Sequence, residues 1–298
     1  MKIDRRRFLG GVLGTTLLAA ARPSGAVVVL DSTWRAEGGR PGHESEGFGA
    51  HIRLANQPQF RSLVALSGDD GESWAIGSGT WIGNVDGQGY VLTAGHIFGN
   101  GEDADTFLYR TNGGTVHRGV DVDFHPLWNG DVNAREGYDL AIVTLESPVT
   151  DAGPPPALYD GEIAVGARVV MIGFGSRGIA SVGERAEYYE PSDKAAAENI
   201  VDEVEAGEHP VRHDGNAGNW FSVKMRRESE GALRLEGILG GGDSGGSTWL
   251  RVGRDWAIAG VNSNGTGDDV YGCSSFFAQV SGVQEWIAEA VPGVRFLS

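Results

Sequence analysis

Cysteine is almost absent from this chain of 298 residues, which contains only Cys273. A single cysteine excludes an intrachain disulfide, and with it the class of small secreted domains that several disulfides hold together. The chain is long enough to form one large or two small hydrophobic cores. Packing and turn chemistry must therefore stabilise the loops.

Basic residues are also scarce, with 24 Lys and Arg against 40 Asp and Glu and a formal net charge of −16. Residues 1–26 hold five of the basic residues and one acidic residue, so the remainder carries a net charge of −20. Nucleic acid is excluded as an expected partner, because phosphate binding needs a basic surface. The charge favours solubility and tolerance of high salt, in which ions screen the self-repulsion.

Long apolar runs are missing as well. Forty-eight glycines break the sequence into short apolar segments such as Ser62–Leu66, Gly89–Leu92 and Ala257–Val261. This pattern predicts many short strands joined by tight turns, and therefore an all-β barrel or sandwich. One helix is predicted near the C-terminus, where Ser281 and Gln284 fit a capping box ahead of an apolar stripe.

The N-terminus carries Arg5, Arg6 and Arg7, then Phe-Leu and a mild apolar run over residues 11–21. Paired arginines before Phe-Leu resemble the twin-arginine export signal of bacteria. The run is too short for a stable membrane anchor. We expect residues 1–26 to be a signal peptide read by the twin-arginine export machinery, cut after Ser-Gly-Ala at 24–26, with Ala-Ala-Ala at 19–21 as the second choice. The rest would be periplasmic or extracellular; a cytoplasmic chain with a basic N-terminus is the alternative.

Three segments carry candidate catalytic side chains in the order His, Asp, Ser. Leu-Thr-Ala-Gly-His ends at His96, Asp139 precedes the apolar segment 140–143, and Ser244 lies in Gly-Gly-Asp-Ser-Gly-Gly at 241–246. A serine hydroxyl becomes a good nucleophile when a base removes its proton and a third group orients that base. The glycines suit a backbone that turns sharply and aims N–H groups inward.

The chain order excludes other hydrolase classes. Residues 242–246 also fit the Gly-x-Ser-x-Gly nucleophile elbow of α/β hydrolases, but that fold needs a His after the Ser. All seven histidines precede Ser244, and none follows Cys273, which also excludes a papain-like arrangement. A subtilisin-like order would need Asp69 or Asp86 before the His, and neither lies in a distinctive segment.

At these residues the chain resembles the chymotrypsin-like (trypsin-fold) serine proteases, in a bacterial form, over roughly residues 58–290. The resemblance implies an all-β fold of two six-stranded antiparallel β-barrels with a C-terminal helix. We therefore expect an N-terminal segment at 27–57, a first barrel at 58–150 and a second barrel at 151–298. The acidic stretch at about 176–218, helix-tolerant around residues 193–198, is interpreted as a surface insertion in the second barrel.

The resemblance also implies a serine endopeptidase that acts on protein or peptide substrates without a cofactor. His96 would be the general base and later the general acid, Asp139 would accept a hydrogen bond from its other ring nitrogen, and Ser244 would form the acyl-enzyme. The backbone N–H groups of Gly242 and Ser244 would form the oxyanion hole, and Ser263 would support the carboxylate. A catalytically silent relative that uses the same fold for binding is the alternative.

Substrate preference is predicted from the residue six before the nucleophile, which forms the floor of the specificity pocket in this family. That residue is Ile238, followed by Leu239, and the remaining lining residues are predicted to be Ser263, Asn264, Gly265 and Ser275. Such a pocket has no charge to compensate the desolvation of a cationic side chain, so we expect cleavage after neutral, mostly apolar residues. A two-residue shift would bring Glu236 to the floor and select Arg or Lys.

The sequence leaves open how the N-terminus is processed. In many family members a trimmed N-terminus, usually Ile-Val-Gly-Gly, pairs with the Asp before the nucleophile. Asp243 is present, but no such tetrapeptide occurs between residues 27 and 60, so either another cation pairs with it or cleavage occurs elsewhere, such as at Arg35-Ala36.

No metal site is expected. Pro210 breaks the helix that His209 and His213 would need to bind a metal ion together. The acidic turns at 69–72 and 267–269 lack the ligand spacing of a calcium loop and are interpreted as solvated turns.

Overall fold

The computed structural model describes residues 27–99, 104–188, 194–205 and 219–298, so the predicted signal peptide and His209 and His213 lie outside the described residues. The strands are β1 (Val28–Val29), β2 (Leu63–Ser67), β3 (Gly77–Val85), β4 (Gln88–Thr93), β5 (Leu108–Arg110), β6 (Val116–Phe124), β7 (Ala141–Leu145), β8 (Ala157–Tyr159), β9 (Arg168–Gly173), β10 (Gly178–Ile179), β11 (Gly183–Glu184), β12 (Ala195–Glu205), β13 (Trp220–Lys224), β14 (Gly237–Ile238), β15 (Ser247–Val252), β16 (Asp255–Gly265), β17 (Ser274–Gln279) and β18 (Arg295–Leu297). The α-helices are α1 (Asp31–Ala36), α2 (Gly49–Ala55) and α3 (Gln284–Ala290).

Strands β2 to β7 close into the first barrel in the order β2-β3-β4-β7-β6-β5. Every neighbouring pair is antiparallel. The β3–β4 hairpin turns at Asp86-Gly87, both of which have positive φ, as a tight two-residue turn requires. Residues such as Val64, Leu66, Val91 and Val143 form a buried core cluster of this barrel.

The second barrel consists of β9, β12, β13, β17, β16 and β15, closed by the pairing of β15 with both β9 and β16. Its pairs are also antiparallel, and β8 and β18 continue the sheet beyond β16 as parallel strands. The predicted fold class, two six-stranded antiparallel barrels with a C-terminal helix, is confirmed.

Residues 195–205 correct one prediction. They form β12, which pairs with β9 on one edge and β13 on the other. The interpretation of this stretch as part of a helix-tolerant surface insertion is therefore wrong. Ala195, Ala196 and Ala197 are fully buried, and the carbonyl oxygen of Ala196 lies 2.8 Å from Nδ1 of His51 in α2. Their small side chains allow α2 to pack closely against the strand. Residues 189–193 and 206–218 of the predicted insertion lie outside the described residues.

The segment from residue 27 to residue 30 is buried against the second barrel. Strand β1 joins a small sheet of order β11-β10-β1-β14, in which Val28 pairs with Ile238. Val27, Val28 and Val29 have no exposed surface and belong to the same core cluster as Met171 and Phe277.

Helix α3 confirms the predicted C-terminal helix but not its capping box. Val283 is the N-cap residue, and no side chain caps the helix. Ile287 is fully buried, and the indole Nε1 of Trp286 donates to Asp123 of the first barrel at 3.2 Å. None of the helices in the described ranges is long and apolar enough to cross a membrane.

Candidate active site

His96 and Asp139 meet at one end of the first barrel because β4 and β7 are paired. Thr93, the last residue of β4, lies opposite Ala141, the first residue of β7. His96 follows β4 in a short 3₁₀ helix, Gly95–Phe98, and Asp139 immediately precedes β7. The antiparallel register therefore places both side chains at the same barrel edge.

The carboxylate of Asp139 is almost completely buried, with 4 % of its surface exposed, and it accepts three hydrogen bonds. The backbone N–H of His96 donates to Oδ1 at 2.8 Å, and ring Nδ1 of His96 lies 2.7 Å from Oδ2. The hydroxyl of Ser263, on β16 of the second barrel, donates to Oδ2 at 2.5 Å. Because a carboxylate only accepts, Nδ1 carries the proton and Nε2 presents its lone pair.

Ser244 lies opposite that lone pair, with its Oγ 2.8 Å from Nε2 of His96. It occupies the loop between β14 and β15, which hydrogen bonds hold against the first barrel. The N–H of Ser78, on β3, donates to the carbonyl of Ser244 at 2.7 Å, and its hydroxyl donates to the carbonyl of Gly242 at 3.0 Å. The predicted triad residues are thus brought together across the barrel interface.

The loop before Ser244 is folded so that two backbone donors remain available. Gly242 has φ +93°, and a Cβ there would overlap the carbonyl oxygen of Ala75. Among the described residues, no acceptor takes a hydrogen bond from the N–H of Gly242 or Ser244. Two free N–H groups beside a serine nucleophile can bind a developing oxyanion.

Asp243 points the other way, into the protein, and has no exposed surface. Its Oδ2 accepts from the backbone N–H groups of Gly240 at 2.8 Å and Val27 at 3.1 Å, and its Oδ1 accepts from the N–H of Gly175 at 2.8 Å. Burial outweighs these donors and raises the pKa of Asp243 to about 7. No cation within the described ranges forms an ion pair with this carboxylate. Arg35, the alternative cleavage point, lies within α1, which follows the buried strand β1 in the chain.

A cavity of about 240 Å³ opens beside Ser244. Its lining comprises His96, Val132, Leu239, Gly240, Gly241, Ser244, Ser263, Asn264, Gly265, Gly267 and Asp269. Four predicted pocket residues are therefore present, namely Leu239, Ser263, Asn264 and Gly265.

The other predicted pocket residues do not border this cavity. Ile238 is fully buried in the core of the second barrel, and the buried hydroxyl of Ser275 accepts from the N–H of Leu239 at 3.0 Å. Glu236, the alternative floor residue, is also buried and accepts from the N–H groups of Arg226 and Leu233 at 2.9 and 2.8 Å. The prediction that Ile238, or alternatively Glu236, forms the floor of the specificity pocket is therefore wrong.

Two acidic residues that the sequence reasoning did not select lie around this cavity. Asp269 lines it directly, which corrects the interpretation of residues 267–269 as a solvated turn. Glu184, on β11, accepts a hydrogen bond from the N–H of Gly241. The acidic run at 268–269 was visible in the sequence, but nothing in it indicated which cavity the loop would enter.

In the described part of the chain, no group of three or more His, Cys, Asp or Glu side chains could hold a metal ion.

Comparison with curated proteins found no match. A family model described as the trypsin-like peptidase domain matches residues 77–257, a range that includes His96, Asp139 and Ser244. The match spans more than half of the chain and agrees with the two-barrel fold. This chain therefore belongs to the trypsin-like peptidase family.

Proposed function

We propose that this protein is a serine endopeptidase that hydrolyses peptide bonds through an acyl-enzyme on Ser244. The observation that supports this most strongly is the continuous chain of hydrogen bonds from Ser244 Oγ through His96 to Asp139, at 2.8 and 2.7 Å. Ser244, at one end of this series of hydrogen bonds, borders a cavity that can hold a substrate side chain.

In the proposed reaction, Nε2 of His96 removes the hydroxyl proton while Oγ of Ser244 attacks the carbonyl carbon. The carbonyl oxygen becomes an oxyanion, which the N–H groups of Gly242 and Ser244 stabilise. The imidazolium then gives its proton to the leaving amine, and the carbon–nitrogen bond breaks. A water molecule, deprotonated by Nε2 of His96, then attacks the ester carbon. The bond between this carbon and Oγ of Ser244 breaks as His96 gives its proton to Oγ, and the carboxylic acid product leaves. Asp139 keeps the imidazole in the productive tautomer throughout.

A fluorophosphonate probe and a peptide library test this proposal. Wild-type protein should be labelled and should cleave peptides, whereas Ser244→Ala should do neither. Ser229→Ala, at an exposed position, is the matched control and should behave like wild type. A folded wild-type protein that is neither labelled nor active would instead be a silent binding protein of the same fold.

We propose further that the protein is exported and that its mature form begins at Val27. Three small residues, Ser24, Gly25 and Ala26, precede this position. The backbone nitrogen of Val27 lies 3.1 Å from the buried carboxylate of Asp243. Cleavage before Val27 would turn this nitrogen into an ammonium group, the cation that Asp243 lacks among the described residues. An ion pair would lower the pKa of Asp243 and hold the adjacent oxyanion loop in place.

This maturation is tested by comparing a protein that starts at Val27 with one that retains Ser24-Gly25-Ala26. Above pH 7 an unpaired Asp243 must ionise in the core, so the longer form should be less stable by about 3 kcal/mol and less active. The difference should shrink below pH 7, where Asp243 becomes protonated in the longer form. Equal stability and activity at pH 8 would contradict the proposal.

Export is tested separately, because replacing Arg5 and Arg6 with Lys should retain the precursor in the cytoplasm.

A further inference from the structure

Asp269 is the one carboxylate among the described residues that line the cavity beside Ser244. Apart from His96, the other lining residues are neutral, and six of them are Gly or Ser. Asp269 is therefore the acidic group that a substrate side chain would meet directly, whereas Glu184 lies beside the cavity and accepts a hydrogen bond from the N–H of Gly241.

The position of Asp269 is set by the loop between β16 and β17. Its backbone has φ +57°, a conformation that Asp tolerates better than most residues. A side chain at Gly265, two residues after Ser263 on the same strand, would lie 3.3 Å from Oδ1 of Asp269. The carboxylate thus lies beside the strand that passes Ser244.

No partner in the described ranges neutralises Asp269. It forms no hydrogen bond or ion pair there, although it is partly buried. An ionised carboxylate in such a position is stabilised when a cation binds, and a guanidinium can also satisfy both oxygens at once. We propose that Asp269 is the specificity-determining residue, and that it selects Arg or Lys on the amino side of the cleaved bond.

This inference rests on the proposed peptidase function and replaces the expectation of a neutral preference. That expectation came from Ile238, which does not border the cavity. The acidic group comes instead from a loop that follows Ser263 in the chain.

The preference should depend on pH. Among the described residues, the charged groups that act on Asp269 are Glu184, Asp243 and Asp268, all of them acidic, and His96 lines the same cavity. Burial, and then these three carboxylates, raise the pKa of Asp269 to about 7. Asp269 is therefore ionised above pH 7 and protonated below it. Selection of a basic side chain should be strong at pH 8.5 and decline as the pH falls through 7.

Peptides that differ only in Arg or citrulline before the cleaved bond provide the sharpest test, because citrulline is a neutral analogue of Arg with nearly the same shape. In wild type, kcat/KM should favour Arg over citrulline on the order of 10²-fold at pH 8.5, and by less than ~10-fold at pH 5.5. Asp269→Asn should give the smaller ratio at both pH values. Asp268→Asn changes the exposed neighbour and should retain the strong preference for Arg at pH 8.5.

The wild-type ratio and its pH dependence need no variant, so they remain informative if Asp269→Asn does not fold. Fluorophosphonate labelling separates the two proposals. If wild type is labelled but cleaves the citrulline peptide as well as the Arg peptide at pH 8.5, the role of Asp269 is refuted and the peptidase proposal stands. If wild type is not labelled, both are refuted.

Discussion

At the scale of single residues, the conformation of Gly242 determines where the N–H groups of the proposed oxyanion hole lie. Ala at this position would be strained at φ +93° and would overlap the carbonyl oxygen of Ala75. We expect Gly242→Ala to lower kcat/KM by ~10²- to 10³-fold, because displaced N–H groups no longer bind the oxyanion. Gly253→Ala is the matched control, since Gly253 has φ +61° and its Cβ would contact nothing. Gly253→Ala should lose about 1 kcal/mol of stability through backbone strain alone, and Gly242→Ala should lose more because of the overlap, while only Gly242→Ala should lose activity. Full activity in Gly242→Ala would contradict the proposed oxyanion hole.

His51 is the residue through which acid should weaken the fold. It is fully buried, and its ring nitrogen bonds to the carbonyl of Ala196. Burial lowers the pKa of His51 to about 4, from an ordinary value of 6.5. The folded state therefore binds fewer protons than the unfolded state between these values, and the unfolding free energy should fall as the pH drops from 6.5 to 4. The loss attributable to His51 is about 3 kcal/mol.

Urea denaturation of wild type and His51→Gln at pH 7, 5.5 and 4.5 measures this contribution. The variant should be less stable than wild type at pH 7, and the gap should narrow in acid. Parallel pH dependence of the two proteins would show that His51 does not couple folding to protonation.

At the scale of elements, α3 joins the end of the chain to the first barrel. Its Ile287 has no exposed surface, and Trp286 contacts His125 edge-to-face at a ring distance of 5.1 Å. We expect Ile287→Ala to lower the unfolding free energy by about 2–5 kcal/mol, because it leaves a cavity in the core. Glu285→Ala, on the exposed face, should change it by less than about 0.5 kcal/mol. Urea denaturation distinguishes the two, and an equal effect would mean that α3 is not packed as described.

Strand β12 shows why an element can be misread from its sequence. Its alanines have high helix propensity, and the residues after them are acidic, which is typical of an exposed helix. Paired strands on both edges and α2 above it favour the extended form instead. Tertiary contacts therefore overrode local propensity, as they often do in strands.

At the scale of the whole molecule, negative charge dominates. The chain has a net charge of −16, and ion pairs such as Arg53–Glu37 involve an exposed partner and contribute little. Salt screens the repulsion between the remaining carboxylates. Raising NaCl from 10 mM to 0.5 M should therefore increase the unfolding free energy, on the order of 1 kcal/mol. A decrease in Tm on addition of NaCl would mean that attractive pairs outweigh the repulsion.

The nature and order of His96, Asp139 and Ser244 could be predicted because each lies in a short motif whose residues serve one local purpose. The short apolar segments and glycines likewise predicted an all-β fold, since strand patterns and turns depend on neighbouring residues. The distances within the triad, and the support from Ser263, required the two barrels to be placed against each other.

Only the tertiary structure revealed Asp269 in the cavity beside Ser244, Val27 beside Asp243, and β12 inside the second barrel. Asp243 and Val27 are separated by 216 residues in the chain. No local pattern reports such contacts, because side-chain burial and charge pairing depend on which distant segments the folded backbone brings together. The sequence alone therefore identifies the chemistry that a short motif carries, whereas the proposed specificity and activation depend on contacts between segments far apart in the chain.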